Sequence, residues 1–97
     1  MKQVLNQILS LPTKRDVLKQ VREQFRQLNK SGGHTHIPEY CREAPIQTLD
    51  DIVSIHQELK DTVLEQEQAG ETIHESLRDA EGLFEAAYRR LQQLGYK

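Results

Sequence analysis

Five cations recur at steps of four, three, four and four residues: Arg15, Lys19, Arg22, Arg26 and Lys30. At 3.6 residues per turn those steps hold all five on one side of a helix. Such a row can neutralise the phosphates of a nucleic acid or dock on an acidic partner helix. It is also a common form of the polar side of an amphipathic helix, because Lys and Arg are good helix formers. The chain carries no helix-turn-helix glycine pattern, zinc module or interleaved aromatic residues, and it is acidic overall. An acidic protein partner, which includes the acidic half of a second copy, is therefore favoured over nucleic acid.

A second group lies in the polar stretch that follows. His34, His36 and Cys41 offer two imidazoles and a thiol, which suit zinc. A structural zinc site usually wants four ligands at paired spacings, so the fourth would have to come from Glu39, from His56 or from another chain. The weakest of the three functional readings is metal binding here, and no cofactor is assigned. Glu71 and His74 have the Glu-x-x-His spacing of di-iron bundles, but those sites need two such pairs and two further glutamates. Cys41 lacks the third group that a nucleophilic dyad requires. With no Gly-rich phosphate loop, nucleophile elbow or His-Glu-x-x-His helix, the chain is expected not to be an enzyme.

The elements that must position these residues follow from the apolar spacing. Val4, Leu5, Ile8 and Leu11 predict a first helix over 2–11, ended by Pro12. Thr13 is placed as an N-cap, with Asp16 facing the helix dipole, and Val17, Leu18, Val21, Phe25 and Leu28 predict a second helix over 14–30. The stretch 31–47, with two glycines and two prolines, reads as an ordered loop in which Thr35, Ile37 and Tyr40 suit a short extended piece. Thr48, with Asp51 three residues on, caps the next helix.

From Leu49 the apolar residues recur by threes and fours to Leu94, and two architectures accommodate that repeat. One is an antiparallel hairpin of helices 49–69 and 73–94, the other a single long coiled-coil helix. Gly70 suits the left-handed residue after a helix end, and Thr72 with Glu75 matches a capping box, so the local signals favour the hairpin. The stripe is also wide, since Val53, Ile55, Leu83 and Tyr88 flank it. His56, inside the apolar arc, reads as a hydrogen-bonded core or interface histidine.

The expected fold is thus an all-α bundle built on that hairpin, forming one domain over the 97 residues. Its 36% apolar and 29% charged content is on the polar side of globular. The first 46 residues hold eight Lys and Arg against four Asp and Glu, and the rest hold five against eleven, leaving +4 and −6. One cysteine and no apolar run near 20 residues lead to the expectation of a cytoplasmic, non-membrane protein. Because the stripe looks wider than one short helix can cover, a homodimer is expected. The function expected is that of a regulatory or adaptor module docking through Ile55, His56, Leu59, Val63, Leu83 and Tyr88 and through the five cations.

Overall fold

The computed structural model describes residues 2–30 and 36–95, which hold five helices and no strand. These are α1 (Lys2–Ser10), α2 (Lys14–Lys30), α3 (Glu39–Glu43), α4 (Leu49–Gln68) and α5 (Glu75–Gln93). The chain is all-helical, as the apolar spacing predicts. α5 lies in the middle and packs against α1, α2 and α4, while α3 packs on α4.

Local chemistry sets the helix ends. Thr13 Oγ1 accepts from the Asp16 backbone N–H at 3.1 Å, so one otherwise free donor of α2 is satisfied. At the start of α4 the capping box is complete: the Asp51 N–H donates to Thr48 Oγ1, and the Asp51 carboxylate accepts from the Thr48 N–H at 3.0 Å. Gly70 ends α4 with φ of 74°, which an L side chain adopts only at a cost. The N–H of Glu71 donates to the Gln66 carbonyl and that of Gly70 to the Glu67 carbonyl, the paired bonds of a Schellman turn. The rod is therefore broken here, and α4 folds back against α5.

Two expectations are corrected at this point. The cap of α5 is not Thr72 but His74, whose Nδ1 accepts from the Ser76 backbone N–H at 3.1 Å. An unprotonated ring nitrogen does what a Thr oxygen would have done, two residues later, and residues 71–74 remain outside the helix. The second concerns the connection after α2. Tyr40 is not extended but belongs to the one-turn helix α3, which starts after Pro38 with Glu39 at its positive end. That single turn aims Cys41 inward, fully buried, and leaves Tyr40 at 56% exposure.

The core is one cluster to which all five helices contribute, α3 through Cys41. Ile8 of α1, Val17, Val21 and Phe25 of α2, and Ile52, Ile55 and Leu59 of α4 surround Leu77, Ala80, Leu83, Phe84, Ala87 and Leu91 of α5. The rings of Phe25 and Phe84 meet edge to face, 4.9 Å between centres, in the geometry that aromatic quadrupoles prefer. Arg90 Nε donates to the Leu11 carbonyl at 2.7 Å, tying the end of α5 to the link between α1 and α2. The stripe expected to need a second subunit is thus covered by the chain's own first two helices.

Candidate functional site

The residues named for partner binding separate into two sets. Ile55, Leu59 and Leu83 have no exposure at all. They face the core and are not available to a partner, which corrects the docking role expected of them. The cause is the central position of α5, whose broad apolar arc meets three neighbours rather than one. Val63 and Tyr88 are half-buried at the edge of the same cluster. Val53 at 42% and Leu64 at 52% are the large apolar side chains that α4 does expose.

His56 lies inside the hairpin, between α4 and α5. Its Nε2 is 3.6 Å from Glu81 Oε1, beyond a good hydrogen bond, and its ring is 6.2 Å from that of Tyr88. Burial pushes its pKa below the usual imidazole range, Glu81 and Glu85 oppose that shift, and Lys60 adds to it. It is an interface histidine, but the interface is within one chain.

The metal and nucleophile candidates are also placed. Cys41 Sγ donates weakly to the Ile55 carbonyl at 3.9 Å, and burial, reinforced by Glu58, pushes the thiol up to about 12. A thiol so protonated is neither a ready nucleophile nor a ready zinc ligand. The His36 ring stacks on that of His74, 3.7 Å apart and 6° from parallel. His34 lies outside the described residues. Among the described residues no three His, Cys, Asp or Glu side chains gather as ligands. Glu71 and His74 are not on one helical face, because Glu71 precedes α5 and His74 caps it.

The five cations do share a face of α2. Arg15, Lys19, Arg26 and Lys30 are exposed, and Arg22 is half-buried. Arg22 Nη1 donates to the Ile46 carbonyl at 2.9 Å, so it also fastens α2 to the strap leading into α4. Among the described residues none of the five has a carboxylate within 4.0 Å. Asp16 and Glu23 do line the same shallow trough as Arg15, Lys19, Arg22 and Arg26, so the face is mixed at its flanks.

Charge pairing along α2 cuts both ways: Asp16 with Lys19, Lys19 with Glu23 and Glu23 with Arg26 attract at three- and four-residue spacing. Like charges four apart, as in Arg15 with Lys19 and Arg22 with Arg26, repel by about 0.2–0.5 kcal/mol per pair at exposed sites. Arg15 also sits in the first turn, where the helix dipole disfavours a cation.

One contributor escaped the sequence reading. Arg42 of α3 comes to the side of α2, where it joins Arg22 and Arg26 around a small hollow. The signal was there in Pro38, Glu39 and Arg42, a helix-starting proline, an acid in the first turn and a base in the last, but the turn is too short to stand out among loop residues. Set beside known proteins, the chain matches no family model, no curated protein and no solved structure.

Proposed function

We propose that the protein is a small non-enzymatic adaptor or regulatory module that binds an acidic protein surface through the basic face of α2. The observation that carries this reading is the row of cations on α2, none of which has a carboxylate within 4.0 Å among the described residues. A purely structural polar face is better served by alternating signs, which gain rather than lose stability at four-residue spacing. The apolar stripe, now accounted for as core, plays no part. Support for a non-catalytic role comes from the protonated, buried thiol of Cys41 and from His56, which is enclosed between two helices. The flanking Asp16 and Glu23 and the net charge of −2 weigh against a phosphate backbone as the partner.

Affinity capture from the native cell tests this with the wild type and a Lys19→Glu/Arg26→Glu variant. An acidic protein retained by the wild type and lost with the variant is expected. A partner held equally by both would sink the reading. Titration with duplex DNA and with RNA separates the nucleic-acid alternative, for which affinity must fall steeply with salt.

A second reading concerns self-association. Glu58, Asp61, Glu65, Glu67 and Glu71 are all exposed along the second half of α4 and the turn after it, with Lys60 as the one exposed cation of that stretch, and the excess negative charge is complementary to α2 of another copy. Sedimentation at low salt should then show a dimer or larger species that dissociates as salt rises, since exposed charge pairs are screened over about 10 Å at 0.1 M. A monomer at every salt concentration removes this reading and leaves the first intact.

A further inference from the structure

The basic face of α2 is not uniform along its length. Towards its C-terminal half it meets the strap that follows α3, and there a hollow of about 200 Å³ opens. Buried Phe25 and Ile46 line it with Ala44, and the polar part of the lining is three guanidinium side chains, from Arg22, Arg26 and Arg42, and the amide of Asn29. No Asp or Glu lines it.

Two of the three arginines are held in place by backbone carbonyls. Arg22 Nη1 donates to the Ile46 carbonyl at 2.9 Å, and Arg42 Nε donates to the Ile37 carbonyl at 3.2 Å. A guanidinium has five N–H groups, so each keeps donors to spare. Arg26 has no hydrogen bond or ion pair among the described residues.

We propose that this hollow is an oxyanion seat, taking one carboxylate or phosphate group that projects from the acidic partner while the rest of that partner lies along α2. The inference rests on the reading of α2 as a partner-binding face and adds where its specificity lies. Size supports a single group: pockets that enclose whole small molecules run to about 300–1,000 Å³, above what is available here. Charge supports it as well. The negative end of the α2 dipole amounts to about half a charge, against three full positive ones. Planar guanidiniums bind carboxylate and phosphate through paired N–H donors, and two of these are oriented beforehand, which lowers the ordering cost of binding. The apolar lining matches the methylene stem of a glutamate or phosphoserine side chain.

The test follows the arginine side-chain Nε–H resonances by NMR while sodium phosphate is titrated against sodium chloride at matched ionic strength. A glutamate-rich helical peptide and the same peptide carrying one phosphoserine are then titrated in turn. Saturable shifts at Arg26 and Arg42 are expected, with little movement at Arg15. Arg26→Ala and Arg42→Ala are each expected to weaken peptide binding about tenfold, and Arg15→Ala about threefold or less. Arg26→Ala removes no internal bond, so it reports on binding even where Arg42→Ala perturbs α3.

Equal losses from Arg15→Ala and Arg26→Ala, or shifts that climb without saturating along the whole face, would overturn the seat and leave the basic face as a diffuse docking surface. Failure of both peptides to bind, or tighter binding of a duplex oligonucleotide, would overturn the underlying reading and the seat with it. Whichever peptide binds more tightly identifies the source of the oxyanion.

Discussion

Gly70 closes α4 with a backbone angle that needs no Cβ, whereas Gly82 sits in the middle of α5 with ordinary helical geometry. A Cβ built on Gly82 would meet only the Leu5 side chain, at 3.9 Å, which is normal van der Waals contact. The same substitution should therefore act in opposite directions. Gly82→Ala is expected to stabilise the fold by about 0.5–1 kcal/mol through the lower entropy of the unfolded chain, and Gly70→Ala to destabilise it by about 1 kcal/mol or more. Thermal or urea unfolding of the two variants checks both signs. Two destabilised variants would mean that α1 and α5 are closer than described.

His56 gives a pH dependence whose sign is set by its lowered pKa. The folded state prefers the neutral ring, so its contribution is fully present above the ordinary value of 6.5 and declines as pH falls through the lower folded value. Unfolding measured at pH 7.5 and 5.5 should show the wild type losing more stability than His56→Gln over that interval. A variant with an unchanged or steeper loss would show that Glu81 and Glu85 outweigh burial.

At the scale of the helices, α2 concentrates the conflict between folding and binding. Replacing Arg26 by Glu turns its repulsive pairs with Arg22 and Lys30 into attractive ones against one lost with Glu23, and is expected to raise stability by a few tenths of a kcal/mol while abolishing capture of the acidic partner; Lys19→Glu, which exchanges two attractive neighbours for two others, is expected to abolish capture with stability unchanged. Unfolding of the variants beside their binding decides this, and a loss of stability would make the row a structural feature instead. Much of this element was readable in advance: Thr13, Asp16 and the apolar arc place α2 over Lys14–Lys30 as expected, and Thr48 with Asp51 does the same for α4. Short-range chemistry leaves its mark within three or four residues, so caps and the Gly70 turn are visible in the chain. α3 is not, because one turn has no period, and His74 is not, because imidazole is seldom read as a cap.

For the molecule as a whole, the decisive fact is which helix lies at the centre. Leu77, Ala80, Leu83, Phe84, Ala87 and Leu91 span a wide arc of α5, and width alone does not distinguish cover by a second chain from cover by α1 and α2. That is a long-range fact of packing, and periodicity within one helix does not contain it. It also sets the most sensitive core position. Phe84, fully buried and in contact with Phe25, is expected to cost about 3–5 kcal/mol when replaced by Ala, against a total of about 5–15 kcal/mol for a domain of this size. Equilibrium denaturation should show that loss, and a drop below about 1 kcal/mol would mean that the site collapses around the missing ring.

The central place of α5 has a temporal consequence too. During synthesis α1, α2 and α4 emerge before the surface they share exists, so none can complete the burial of its apolar side until residues 75–93 have left the ribosome. Until then the nascent chain presents amphipathic segments whose apolar sides are only partly covered. A stop codon or protease cut ahead of Glu75 would remove the surface on which α1, α2 and α4 assemble.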